Sequence, residues 1–343
     1  MKLTAFLGAS ALTLLAGSAH AEGKLSIYHW FEYIPAELLE KFEAEYDVDV
    51  TMDTYDSNEA LLASLKAGTL GSYDVAVPGD YMVEIMASEG LLDTIAAGEL
   101  KNMGNIAPEW ADPAFDPGRQ HSIPYQWGST SFSVNRDAFS GNINTTDMIF
   151  NPPAEVAGKI NVLDSQGEVM ALASLHLGIP QCTNDRDQLK ALDELLQSAS
   201  ANWASFGSDV AKDVLVSGDA AVGMIWNGFS AKARAEGANI EYSYPDQGFV
   251  VWMDNVVLLA DAPNRANALL FMDFLLEPEN IAAVTNYAQY AAGVTGVTEF
   301  LEPELAVMPE NNPREGAGPG AFVAVCDQAT QEVYDRIWTR LRS

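Results

Sequence analysis

The chain has 343 residues, 48 of them acidic against 18 lysines and arginines, and a formal net charge of −30. A field of that sign repels nucleic acid and anionic lipid, so binding of a polyanion is excluded and a charged partner should be positive. An acidic surface that serves only solubility is the competing account.

Lys2, the apolar run from Ala5 to about Gly17 and the small residues of "SAHA" read as a secretory signal peptide, residues 1–21, cut after Ala21. No later run is long and apolar enough to suggest a transmembrane helix, so the mature chain is expected to be exported and soluble, without membrane insertion. About 320 residues then remain, which suggests two lobes rather than one core. Cys182 and Cys326, the only two cysteines, are expected to be bridged in an oxidising compartment, with two buried thiols as the alternative.

From Leu25 the chain alternates strand-like and helix-like segments: "LSIYHW", "PAELLEKFEAEY", "VDVTMDTY", "SNEALLASLKAG", "YDVAVPG" and "YMVEIMASEG". Ser57 reads as a helix start, and Gly68 and Gly90 stand where helices should stop. Strands interleaved with helices of this length imply parallel pairing and an α/β domain, whose ligands gather beyond the carboxyl ends of the strands. A second set follows: "KINVLD" as a strand, "GEVMALASLHLG" and "RDQLKALDELLQSA" as helices, and "AAVGMIWNG" as a strand. "GFVVWMDNVVLLA" is strand-rich, "RANALLFMDFLL" and "PENIAAVTNYA" return to helix, and "QATQEVYDRIWTRL" closes the chain as a helix. "ENNPREGAGPGA" between them is expected to be a surface loop.

The strand ends repeat one theme: "HWFEY" at 29–33, "GDY" at 79–81, "IWNG" at 225–228 and "WMDN" at 252–255. Aromatic faces attract ammonium groups and accommodate the methylenes between them, while carboxylates add charge-assisted hydrogen bonds. Glu32, Asp80, Glu168 and Asp254 would be costly to bury unpaired, so a cleft lined by them is best neutralised by a cationic ligand. Each of these residues alone reads as readily as core packing or as a solvated acid. Phe31 is assigned to packing. Catalysis finds little support: His29, His121 and His176 are the histidines left after cleavage, and no HExxH, GxSxG or metal-type Cys/His spacing occurs. No enzyme activity, cofactor or metal is therefore expected.

The segments also resemble a known family. "YHWFEYIP", "TYDSNEALLASLKAG", "YDVAVPGDYMV", "SIPYQWGST", "GMIWNG" and "WMDN" are similar, in order, to blocks of the periplasmic polyamine-binding proteins of ABC importers, the spermidine/putrescine receptors. The resemblance implies a two-lobed periplasmic-binding-protein fold of type II, with hinged lobes around a central ligand cleft. It implies one lobe of residues 22–133 plus 255–305, and another of 134–254 plus 306–343. By the same resemblance Trp30, Glu32, Tyr33 and Tyr81 would serve the cleft from one side, and Asp80, expected there from the strand-end pattern, is an extra acid that departs from the family. Glu168 would be a ligand acid at a helix start, Trp226 and Trp252 would flank the alkyl chain, Asp254 would hold an ammonium, and Tyr290 would match a late tyrosine. Gly79 stands where the family has serine, and Ser165 stands where spermidine receptors carry an aspartate, with Asp164 beside it.

The expectation is a monomeric periplasmic receptor that binds a putrescine- or spermidine-like amine and hands it to a membrane permease. Another organic cation, ferric ion or, in the enzyme class, a two-carboxylate hydrolase are the alternatives.

Overall fold

The computed structural model describes residues 23–342, so the signal peptide lies outside the described residues. Strand β1 (Gly23–Trp30) buries Leu25, Ile27 and His29 on one face, as its alternation requires, and helix α1 (Ala36–Tyr46) turns Leu38 and Phe42 inward. Strand β2 (Val48–Tyr55) pairs parallel to β1 along its whole length. Helix α2 (Asn58–Ser64) begins where the Ser57 hydroxyl accepts the Ala60 amide at 3.2 Å, the expected N-cap. Strand β3 (Val75–Ala76) and helix α3 (Asp80–Ser88) complete this first α/β run.

The next strand, β4 (Ser122–Asn135), is 14 residues long and was not legible as one element, because Pro124 and polar residues interrupt its pattern. Beyond it come α4 (Asp147–Phe150), β5 (Ile160–Val162), α5 (Gln166–Leu177) and α6 (Arg186–Ser200). Then follow β6 (Trp203–Phe206), α7 (Ala211–Val216), β7 (Val222–Trp226), α8 (Asn227–Ala235) and β8 (Ile240–Ser243). Strand β9 (Phe249–Leu258) leads back to α9 (Arg265–Leu275), α10 (Pro278–Ala288) and β10 (Ala291–Ala292). The chain ends with β11 (Gly320–Ala321) and α11 (Gln328–Leu341).

All the strands join one mixed sheet in the order β2-β1-β3-β9-β4-β7-β5-β6, with β8 and β10 beside β4 and β11 beside β9. The α/β pairs are parallel as expected, β1 with β2 and β3, β5 with β6 and β7. The two long strands, β4 and β9, are antiparallel to each other and shift register between Pro124 and Trp127.

Those two strands connect the cores. Ile123 and Tyr125 of β4 and Val256 and Leu258 of β9 pack with the residues of β1, β3, α1, α9 and α10. Phe132 and Val134 of β4 and Phe249 and Val250 of β9 pack instead with β5, α5, α6 and β7. Each strand therefore begins in one apolar core and ends in the other, and its middle residues belong to the crossing.

The segment 310–321 runs over the surface as a loop, as expected, but is tied down at both ends. It adds β11 to β9 in parallel, and Gly318 lies so close to Asp246 and Gly248 that a Cβ there would stand 2.3 Å from the Gly248 amide nitrogen. Glu310, in the same segment, is buried and held by both arms of Arg234 at 2.8 and 2.9 Å.

Cys182 and Cys326 form the expected disulfide, across 144 positions, and tie the connection between α5 and α6 to the segment that leads into α11. Closing a loop this long removes unfolded-state freedom worth up to about 4–5 kcal/mol. Replacing both cysteines by alanine should lower the denaturation midpoint by about 2–4 kcal/mol of stability, and reductant should reproduce the effect in the parent. A coincident unfolding curve for parent and variant would overturn this assignment of stability.

Candidate functional site

A narrow cavity of about 50 Å³ opens where the two cores meet. Trp30 reaches it from the end of β1, Phe31 and Tyr33 from the turn that follows, and Asn58, Gly79 and Tyr81 from the starts of α2 and α3. Glu168, Trp226, Phe229 and Val323 come from the other core, Trp252 and Asp254 from the crossing part of β9, and Tyr290 from the turn after α10.

The two tryptophans on the β1 and β9 sides are each fixed by a polar tip. Trp30 donates its indole N–H to the Val77 carbonyl at 2.6 Å, and its ring lies 4.6 Å from Tyr55 and 5.8 Å from Trp226. Trp252 donates to Thr130 Oγ1 at 3.0 Å, edge-on to Tyr290 at 5.0 Å. Close approach depends on two glycines. A Cβ on Gly128 would stand 2.8 Å from the Trp252 ring, and one on Gly228 would stand 2.5 Å from Tyr290.

Two carboxylates face the cavity. Glu168 lies in the first turn of α5, where the helix end favours negative charge, and is 7% exposed. It accepts the Trp226 N–H at 3.2 and 3.3 Å and the Thr130 hydroxyl. Asp254 is 8% exposed and accepts the Tyr33 hydroxyl at 2.8 Å. Burial pushes both acids above the ordinary carboxylate range, against the hydrogen bonds that favour the ionised forms. Neither Lys nor Arg is among the residues that line the cavity. Two desolvated acids within an aromatic wall suit an organic cation.

Eight of the ten expected site residues are brought together here: Trp30, Tyr33, Tyr81, Glu168, Trp226, Trp252, Asp254 and Tyr290. Asp80 and Glu32 depart from the expectation. Asp80 lies behind the wall, one oxygen accepting the Tyr81 amide at 2.6 Å and the other the Met253 amide at 3.0 Å, so it pins β9 to the start of α3. Its burial raises its pKa to about 7. Glu32 takes a left-handed turn, φ 49°, and its carboxylate meets Lys212 at 3.5 Å.

Phe31, assigned to packing, instead lines the cavity and is 40% exposed. Asn58, Gly79, Phe229 and Val323 were not anticipated as wall residues. Asn58 had a signal in "DSNEA", since its side chain accepts the Gly79 amide at 3.0 Å and so joins two helix starts. Val323 carried none. Ser165 supports Glu168 by a hydrogen bond, and Asp164 is taken by Arg342.

Strands that cross between two cores, with aromatic and acidic side chains converging from both, define a solute-binding protein, a class that captures its ligand without making or breaking a bond. The sequence matches the model of the bacterial extracellular solute-binding proteins over residues 37–313. It is 35% identical over 302 residues to the spermidine/putrescine-binding periplasmic protein of Escherichia coli (strain K12), covering 88% of this chain and 86% of that one. It is 32% identical to the putrescine-binding periplasmic protein SpuD of Pseudomonas aeruginosa, covering 97% of each. A solved chain from Listeria monocytogenes superposes with a TM-score of 0.86 at 28% identity, over 93% of this chain and 98% of that one. The spermidine/putrescine ABC transporter substrate-binding protein PotD of Streptococcus pneumoniae superposes at 0.74, also with 28% identity and the same coverage. This chain belongs to the spermidine/putrescine-binding periplasmic protein family of ABC transporters.

Proposed function

We propose that the protein is a periplasmic receptor that captures a di- or polyamine between two hinged lobes and presents it to the membrane permease of an ABC importer. The lobes we assign are residues 22–133 plus 255–305 and 134–254 plus 306–343, with the protein acting as a monomer. The eight wall residues named above form the amine box, while Asp80 acts from behind it as the brace of Asp254 and Tyr81.

The observation that carries this reading is the pair Glu168 and Asp254, two buried carboxylates in an aromatic wall that holds no basic residue. Two such charges without a counterion oppose closure, and a ligand with two ammonium groups removes that opposition. Closure follows because side chains from both cores touch one ligand, so the closed form binds it better than the open one.

Ferric ion fits the site less well. The Tyr33 and Tyr81 hydroxyls donate to Asp254 and Glu59, and burial holds both phenols well above their ordinary pKa, which opposes the phenolate that iron would require. Among the described residues no group of three or more His, Cys, Asp or Glu side chains is placed to hold a metal ion.

Calorimetric titration of the mature protein, stripped of bound solute, with putrescine, cadaverine, spermidine, spermine, agmatine and choline tests the reading. Saturable binding of at least one alkylamine at micromolar concentration or below is expected on the order of 8 kcal/mol of binding free energy. Silence towards the whole panel at millimolar concentration overturns it.

A further inference from the structure

The turn that sends Phe31 and Tyr33 into the cavity sends Glu32 the other way, towards two lysines of the opposite core. Lys212, on α7, lies 3.5 Å from the Glu32 carboxylate, and also 2.8 Å from Glu236 and 3.4 Å from Asp213. Lys232, on α8, donates to the Glu32 carbonyl at 3.0 Å. Its ammonium stands 4.1 Å over the Tyr287 ring of α10 and 5.6 Å from the ring of Phe229. Phe229 itself is a wall residue, so the Lys232 ammonium stands against a ring of the cavity wall.

The charges open to a ligand follow from these contacts. The Glu32 carboxylate is matched by Lys212 while Lys232 holds the Glu32 carbonyl, and both oxygens of Asp80 are occupied by backbone amides. Glu59 receives Tyr81 and the Gly167 amide on one oxygen, and its other oxygen is buried without a partner and inaccessible. Glu168 and Asp254 are left to face the cavity. A third ammonium entering at the Phe31 and Phe229 end would find no free acid and a lysine behind the ring, and burying an unpaired charge costs several kcal/mol.

We propose that Lys212 and Lys232 are specificity-determining residues: one as a built-in counterion and the other as a donor to the turn's carbonyl, they withdraw Glu32 from the ligand and set the cavity for an α,ω-diamine with two ammonium groups over a triamine with three. The inference rests on the amine reading of the site. It goes beyond that reading by assigning the choice of amine to two residues that line no part of the wall.

The test is titration of the parent protein, Lys212→Met/Lys232→Met, and the same double variant carrying Glu32→Gln, each with putrescine and with spermidine. In the parent, putrescine should bind at least tenfold tighter than spermidine. Removing the lysines should move that ratio at least tenfold towards spermidine, and adding Glu32→Gln should cancel the shift. Circular dichroism and a thermal melt establish that each variant is folded; should the lysine variants not fold, Lys232→Gln alone and the parent ratio carry the test. A parent that prefers spermidine, or a ratio unmoved by loss of the lysines, overturns the inference while leaving amine binding intact. A parent that binds neither amine overturns the functional reading itself.

Discussion

Asp254→Asn should weaken amine binding by about 100-fold or more, roughly 3 kcal/mol, without unfolding the protein. The carboxylate lies on the crossing part of β9, accepts the Tyr33 hydroxyl and is 8% exposed, so an ammonium placed against it meets little competing water. Asparagine retains an oxygen for Tyr33 but loses the charge, and the ammonium would then be desolvated without a counterion. In the ligand-free protein the same change removes one of three neighbouring acids, since Asp80 and Glu168 both raise the Asp254 pKa. Melting temperature without ligand should therefore hold or rise as affinity collapses. Titration and thermal denaturation of one preparation separate the two effects. Parent-like affinity in the variant would remove Asp254 from the ligand's contacts.

Ligand-free stability should fall as pH rises from 6.5 to 8, and saturating amine should reduce the fall. Asp80 titrates at about 7 in the folded protein against an ordinary 3.8, because it is buried, and burial also raises Glu168 and Asp254. A carboxyl raised in this way binds more protons folded than unfolded, so its stabilisation is complete below its unfolded pKa and is lost as pH rises through its folded one. Below 6.5 the buried His29, lowered to about 4, acts in the opposite sense, since the unfolded chain then binds the extra proton. Above 8 Lys232, lowered to about 8 by burial, does the same. Between those limits the carboxyls dominate, and the loss should be roughly 1–3 kcal/mol. Amine binding near pH 6.5 should release protons, visible as a calorimetric enthalpy that changes with the ionisation heat of the buffer. A flat stability profile across the window, or an enthalpy independent of buffer, would contradict the raised pKa of Asp80 and its neighbours in the ligand-free protein.

The rim was legible because aromatic and acidic residues cluster at strand ends, and in an α/β sheet strand ends share one edge. Trp30, Trp226, Trp252 and Asp254 could be nominated on that ground, and the family resemblance supplied Tyr290. The same reasoning placed Glu32 in the cleft because it stands between Trp30 and Tyr33. Its left-handed backbone and its pairing with Lys212 depend on a helix almost 180 positions away, for which no local pattern speaks. Asp80 misled in another way. An acid beside a tyrosine at a strand end reads as a ligand group, yet at the first turn of α3 it is also well placed to accept backbone amides, as it does.

What the sequence determined by itself was local: the periodicity of the α/β units, the cap at Ser57, the excess of negative charge, and which strand ends carry rings and acids. Those properties depend on near neighbours and on composition, which a linear chain displays. What only the tertiary structure decided was which acids remain unpaired. That depends on the distance between groups remote in sequence, and in low dielectric a few ångströms between Glu32 and a lysine, or between Asp80 and two amides, decides whether a carboxylate is available to a ligand.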